Sequence, residues 1–258
     1  MSGYRHAEVA ALVLAAGTGK RMNSDLAKVL HPMAGRSLLA HVLETLDLLG
    51  VGRKVVVIGH QRERVQAEFA GRDDLEWAVQ AEQRGTGHAC MMAQPALGEF
   101  DGTLLVVCGD TPLLTARTLH ALLETHASSG ASVTVLSMRL PDPKGYGRIV
   151  RRDDLVGIDR IVEEKDANAE QKRLDEVNSG IYAFSYVALS GVLSSLTADN
   201  SQGEYYLTDT VSILQARGAK AAVVCADDYQ ELMGINTPDQ LAEAEAAWRQ
   251  LELRGGHA

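Results

Sequence analysis

The 258-residue sequence predicts an α/β fold built on a mostly parallel, mixed sheet, and three observations carry that expectation. Short apolar β runs alternate with stretches of helical periodicity through the first half, the order that places helices on both faces of a parallel sheet. The first run, Val9 to Leu14, leads straight into the small-residue loop Ala15-Ala16-Gly17-Thr18-Gly19 and then Lys20 and Arg21. Hydrophobic residues make up 46% of the chain, enough for a substantial core and too many for a disordered segment.

The elements follow in order. After the first strand and its loop, Ser37 to Leu49 carries apolar residues at helical spacing and stops at Gly50. Lys54 to Ile58 reads as a strand buried on both faces, Gln61 to Ala70 as its helix. Leu75 to Val79 and Thr103 to Val107 are the next two strands. A helix ends near Gly130, and Ser132 to Met138 forms another strand. Residues 147 to 163 alternate charged and apolar side chains, as in a solvent-facing β-ribbon. Asn178 to Phe184 is an apolar strand, helices follow at Tyr186 to Leu196 and Thr208 to Arg217, and Ala221 to Ala226 is a last strand. Thr237-Pro238-Asp239-Gln240 opens the final helix with an N-cap, a first-turn proline and a capping-box glutamine. No low-complexity linker divides the chain. The expectation is therefore one domain, residues 1–258, with a first lobe over 1–112, a second over 113–236, and a terminal helix and tail over 237–258. The lobes join near residues 111–114.

Charge and cysteines narrow the function. A net charge of −9 without any basic stripe excludes a nucleic-acid partner. Cys90, Cys108 and Cys225 are far apart and form no C-x-x-C pair, which reads as reduced thiols of a cytoplasmic protein. The N-terminal residues hold no signal-peptide core, and no apolar run reaches membrane-spanning length. No membrane partner is expected, and the oligomeric state is left open.

The glycine loop with its cations suits a polyanion. Glycine lets backbone N–H groups approach phosphate oxygens, and fixed cations neutralise charge on a leaving group. Two familiar phosphate loops do not match. A dinucleotide fingerprint needs a third glycine where this chain has Met22, and a P-loop lysine must precede Ser or Thr, whereas Lys20 precedes Arg21. Lys28 supplies a further cation. Polar groups then recur at strand ends, where open α/β sheets bind ligands. Gln80 is a candidate base reader, and Gly85-Thr86 a candidate base or ribose contact or a plain helix start. Asp110, after Cys108-Gly109 at the end of a buried strand, is placed to hold Mg²⁺ beside phosphates. Gly147 lies in a tight turn with exposed amides, Glu163 sits in Ile161-Val162-Glu163-Glu164-Lys165-Asp166, and Asn178 begins an apolar strand where hydroxyl-binding amides are useful; singly, each also reads as a solvated surface feature.

Taken together, the stretches LVLAAGTGKRM, SDLAKVLH, QAEQRGTGHA, CGDTPLL, GYGRIVR, IVEEKDA, EVNSGIYAF, NSQGEYYLTDTV and GIN resemble the sugar-nucleotidyltransferase superfamily. Within it they are most similar to the uridyltransferase half of the bifunctional N-acetylglucosamine-1-phosphate uridyltransferases. The resemblance implies a Rossmann-like fold of the nucleotide-diphospho-sugar transferase type. It implies transfer of a uridylyl group from UTP to N-acetylglucosamine 1-phosphate, giving UDP-N-acetylglucosamine and pyrophosphate, a cell-wall precursor step. It further implies that Leu14, Ala15, Ala16 and Gly17 wrap the uracil and phosphates, that Arg21 and Lys28 neutralise the triphosphate, and that Gln80, Gly85 and Thr86 read uracil and ribose. Cys108, Gly109 and Asp110 would lie along the nucleotide, Asp110 and Asn236 would ligate Mg²⁺, and Gly147, Glu163, Asn178 and Thr208 would hold the sugar. Alternatives of other kinds are the same chemistry on another nucleotide and sugar phosphate, such as glucose 1-phosphate, and a nucleotide-binding regulatory module without turnover.

The sequence departs from the family pattern in four places. Lys20 replaces a threonine, Ala27 a proline, Cys108 an aromatic residue and Ser179 a threonine. The bifunctional members also continue into a left-handed β-helix of hexapeptide repeats that binds acetyl-CoA, and this sequence contains none. The expectation is a stand-alone uridyltransferase or a piece of a longer protein, without acetyl transfer.

Overall fold

A computed structural model describes residues 9–152 and 157–253. The N-terminal residues, the tip of the 147–163 ribbon and the Arg254–Ala258 tail lie outside the described residues. In chain order the elements are β1 (Val9–Ala15), the small hairpin β2 (Pro32–Met33) and β3 (Arg36–Ser37), α1 (Leu38–Leu48), β4 (Arg53–Ile58), α2 (Arg62–Glu68), β5 (Leu75–Val79), α3 (Thr86–Leu97), β6 (Thr103–Cys108) and α4 (Ala116–Ser129). Then come β7 (Val133–Arg139), β8 (Arg148–Arg151), β9 (Ile158–Val162), β10 (Glu176–Ser185), α5 (Tyr186–Leu193), α6 (Asp209–Ala216), β11 (Ala221–Cys225) and α7 (Pro238–Leu253).

The main sheet runs β11-β7-β10-β6-β1-β4-β5, with β8 and β9 attached beside β10. β1 is parallel to both β4 and β6, β4 to β5, and β11 to β7. β10 alone of the seven main strands runs the other way, antiparallel to β6 and β7, so the two halves of the chain share one hydrogen-bonded sheet. The registers Ala15↔Ile58 and Leu14↔Cys108 bring the carboxyl ends of the central parallel strands to one edge. The loops that follow those strands build the site there.

Strand composition explains the layering. Side chains alternate across a strand, and β1 is apolar at every position, so it is buried on both faces. Ala11, Val13 and Ala15 meet the apolar stripes of α1, α2 and α4, and Ala10 and Leu12 meet those of α3, α5 and α6. A third, smaller core of Met22, Met33, Leu38, Leu113, Ile235, Ala244 and Trp248 seats α7 against the loop after β1.

Most elements match the sequence expectation within a residue or two. Ser37 caps α1 through its hydroxyl, which accepts from Ala40 N at 3.2 Å. Three points differ. The helix α3 stood only as one of two readings of Gly85-Thr86, because Gly85, Gly87 and Pro95 obscure its pattern. The 147–163 ribbon is not solvent-facing: Ile149, Ile158 and Ile161 are buried in the core that contains α6, so its alternation marks one covered face. β10 is longer than expected and carries a bulge between Asn178 and Ile181. Gly180 sits in that bulge with φ +81°, a backbone conformation that glycine adopts because it has no Cβ.

A candidate nucleotide and sugar-phosphate site

The loop after β1 turns twice in 3₁₀ geometry, at Lys20–Met22 and Lys28–Leu30. Gly19 makes this possible. Its φ is +65°, and a Cβ there would lie 2.8 Å from Lys28 Cβ, so only glycine lets the two cation-bearing turns close on each other. The segment before Lys28 is held from outside. Ala27 N donates to Gln61 Oε1 at 2.9 Å, and Gln61 Nε2 donates to Asp25 O. A proline at 27 could not make the first of these bonds, so Gln61 supplies the restraint that a ring would otherwise give.

Four groups far apart in sequence converge beside this loop. Lys28 Nζ forms an ion pair with the Asp110 carboxylate and donates to Asn236 Oδ1 at 2.8 Å. Arg21 donates to the same Asn236 oxygen at 2.8 Å. Backbone bonds fix the two oxygen carriers: Ile235 N donates to Asp110 O at 2.9 Å, and Asn236 N donates to Gln240 Oε1 at 2.8 Å. The expected capping glutamine thus grips Asn236, while Thr237 accepts from Gln240 N in the usual capping role. Among the described residues no group of three or more His, Cys, Asp or Glu side chains could hold a metal. One carboxylate and one carboxamide oxygen, both hard donors, fit a divalent cation that keeps waters and takes phosphate oxygens.

A cleft of about 260 Å³ opens next to this cluster. Leu14, Ala15, Ala16 and Gly17 line it on the β1 side, and Cys108 and Asp110 on the β6 side. Gly109 backs it, donating its N–H to Leu14 O at 2.9 Å. Gln80, Gly85 and Thr86 close the far end, together with Gln83 and Glu204. Gln80 is buried, and its Nε2 donates to Gly85 O at 3.0 Å and lies 3.1 Å from His88 Nδ1. Gly85 has φ +104° and touches Tyr205, where a Cβ would meet the carbonyl oxygen at 2.5 Å. Thr86 neither caps α3 nor stands free: its hydroxyl accepts from Leu207 N at 3.1 Å and ties the cleft to the 200–208 loop. Burial pushes the Cys108 thiol up to about 12, with the Asp110 charge adding to the effect, so it is a filler of the wall and not a nucleophile.

The second group forms around β10. Asn178 N donates to Gly147 O at 2.8 Å, and a Cβ on Gly147 would come within 3.5 Å of the Glu163 carboxylate. Thr208 donates to Glu163 Oε1 at 3.0 Å. Burial raises the Glu163 carboxyl above its ordinary range, and the Thr208 bond partly offsets this. The two groups adjoin. Cys108 Sγ lies 3.7 Å from Gly180 O, and the half-buried Tyr146, next to Gly147, feels the charges of both Asp110 and Arg21. Every residue expected at the site therefore falls in one of two adjoining clusters. Sequence reasoning missed Gln61, Gln83, Tyr182 and Glu204. Gln61 and Gln83 act across 34 and 67 residues of chain, and the Tyr182 contact, though only four residues away, depends on the bulge in β10.

Known proteins resemble this chain. The profile of the MobA-like NTP transferase domain matches residues 11–169. The chain is 49% identical to the bifunctional protein GlmU of Exiguobacterium sibiricum over 239 residues, covering 93% of this chain and 53% of that protein. It is 51% identical to the protein of that name from Heliobacterium modesticaldum over 236 residues, 92% of this chain and 51% of the other. With the one from Streptomyces griseus the identity is 50% over 237 residues, 91% and 49% respectively. The chain spans about half the length of the curated relatives it matches. On the extent of the profile match, this chain belongs to the MobA-like NTP transferase family.

Proposed function

We propose that the chain is a uridylyltransferase that joins UTP to N-acetylglucosamine 1-phosphate, releasing pyrophosphate and UDP-N-acetylglucosamine in the cytoplasm. The observation that carries this reading is the convergence of Lys28, Arg21, Asp110 and Asn236 on one end of a cleft whose other end holds the Gln80 amide. A nucleoside triphosphate needs cations at one end and a hydrogen-bonding edge at the other. With Gln80 Nε2 turned to Gly85 O and His88, its oxygen is the acceptor, which suits the imide N–H of uracil.

In this reading residues 1–112 hold the nucleotide and residues 113–236 the sugar phosphate. An oxygen of the sugar 1-phosphate attacks the α-phosphorus of UTP in line. The new P–O bond forms as the bond from the α-phosphorus to the bridging oxygen breaks, and pyrophosphate leaves with that electron pair. The acceptor is already anionic, so no base and no covalent enzyme intermediate are needed. Lys28 and Arg21 screen the repulsion between two polyanions, which at about 4 Å and intermediate dielectric reaches several kcal/mol per charge pair. Asp110 and Asn236 would hold Mg²⁺, which when bound supplies Lewis-acid charge stabilisation at the phosphates. Glu163, Thr208, Asn178 and Gly147 orient the sugar so that its phosphate oxygen faces the α-phosphorus.

Pyrophosphate release measured across four nucleoside triphosphates and three sugar 1-phosphates with Mg²⁺ tests the proposal. Turnover confined to UTP with N-acetylglucosamine 1-phosphate is the expected result. Preference for another pair reassigns the substrates, and UTP binding without any release would make the chain a regulatory module.

A further inference from the structure

Tyr182 is among the largest side chains fully enclosed in the protein, 2% exposed, and it lies on the bulged strand β10 two residues beyond Gly180. Its neighbours in the sheet, Val106 and Val135, are apolar, and its ring lies 5.4 Å from that of Phe184. A phenolic O–H in such a place must find a polar partner. Its partner is Asn178, whose Nδ2 donates to the Tyr182 oxygen at 2.7 Å.

The other end of that amide is also occupied. Gly180 N donates to Asn178 Oδ1 at 3.1 Å. A backbone N–H needs an acceptor, so this bond fixes which end of the carboxamide is oxygen. The bulge brings the two partners to opposite ends of one side chain. Asn178 therefore cannot flip, and its second Nδ2 proton is held in one direction.

We infer that Tyr182 is a positioning residue for the sugar subsite, locking the Asn178 amide so that one N–H is presented to an oxygen acceptor of an N-acetylated hexosamine phosphate. The inference rests on the proposed uridylyl transfer and deepens it. Tyr182 touches no substrate in this scheme; it acts through Asn178. Gly147 joins this lock to Glu163: its carbonyl accepts from Asn178 N at 2.8 Å, and a Cβ on it would lie 3.5 Å from the Glu163 carboxylate. Without the tyrosine oxygen, Gly180 still holds Oδ1, but the planar amide as a whole can swing about its Cβ–Cγ bond, carrying the Nδ2 protons with it.

Tyr182→Phe deletes one oxygen and keeps the ring, so the core stays filled. Steady-state kinetics of this variant and the parent protein, with UTP and N-acetylglucosamine 1-phosphate varied in turn, test the inference. KM for the sugar phosphate should rise about 5- to 10-fold, the scale of one buried hydrogen bond, while kcat and KM for UTP change less than about 2-fold. Preference for N-acetylglucosamine 1-phosphate over glucose 1-phosphate should fall with it. A variant that melts earlier but keeps both KM values and that preference reduces Tyr182 to a packing role and overturns the inference alone. Equal rises in both KM values do the same. A parent protein inert toward every sugar phosphate overturns the transferase reading, and this inference with it.

Discussion

The two adjoining polar clusters are held together in different ways. At the β1–β6 end the polar groups are charged and satisfy one another: Lys28 lies on Asp110, and Lys28 and Arg21 share the Asn236 oxygen. In the proposed reaction a polyanion and a metal ion would enter by replacing those contacts. At the β10 end the fixing bonds are mostly side chain to side chain or side chain to backbone within one pocket: Thr208 on Glu163, and Tyr182 and Gly180 on Asn178. Nothing there has to be displaced. The difference teaches where reorganisation occurs. In the proposed reaction charge would rearrange at the triphosphate, and shape would be ready beforehand at the sugar.

The largest effect expected from this contrast is at Asp110. Asp110→Asn keeps the side-chain shape and removes the charge, and should lower kcat about 1000-fold in a pyrophosphate-release assay with Mg²⁺, with the circular dichroism unchanged. Turnover within about 10-fold of the parent would dissolve the charged end of the comparison.

The two cations sharpen it next. Lys28 is 15% exposed and touches both oxygen carriers, whereas Arg21 is exposed and touches one. Lys28→Ala should cost about 100-fold in kcat and Arg21→Ala about 10-fold. Both losses should shrink the affinity for UTP more than that for the sugar phosphate. The reverse order would mean that the triphosphate leans on the outer cation.

The smallest effect is a pH dependence confined to the sugar end. Burial raises the Glu163 carboxyl above its ordinary 4.5, so the folded protein keeps a proton there that the unfolded chain has released. This group's contribution to stability is full below about 4.5 and is lost as the pH rises through the folded value. Binding runs the other way, because the ionised form is the better acceptor for sugar hydroxyls. KM for the sugar phosphate should therefore rise as the pH falls through that raised value, while KM for UTP does not follow it. Glu163→Gln should flatten both trends, measured by kinetics and by thermal melting across pH 4 to 8. A slope that persists in the variant assigns the titration to another group.

Much of this was legible in the chain because it is local. Continuous Val, Leu and Ile runs gave the buried strands, Ser37 gave the start of α1, and glycine beside paired cations gave the phosphate loop. Gln80 and Asp110 were legible as candidates because polar groups at strand ends of a parallel sheet collect on one edge, whereas Thr208 and Asn236 entered only through the family resemblance. What stayed hidden is tertiary. The antiparallel sense of β10 depends on its partners β6 and β7, not on its composition. The helix α3 begins among glycines that serve close approach to Tyr205, so its own signal is weak. The buried face of the ribbon is revealed only once α6 covers it. Tyr182 reads in sequence as one more apolar strand residue, and only the bulge shows what its hydroxyl is for.

The bond between Ala27 and Gln61 has a consequence for how this sequence can change. Stiffness that a ring could build into position 27 has been delegated to a neighbour 34 residues away, and the N–H that makes the link is the one proline lacks. Replacing Ala27 by proline would strip Gln61 of its donor, and trimming Gln61 would leave Ala27 slack. The two positions are thus coupled, and a change toward the proline-bearing loop is best tolerated at Ala27 before Gln61, because the ring restores the stiffness that the lost bond gave.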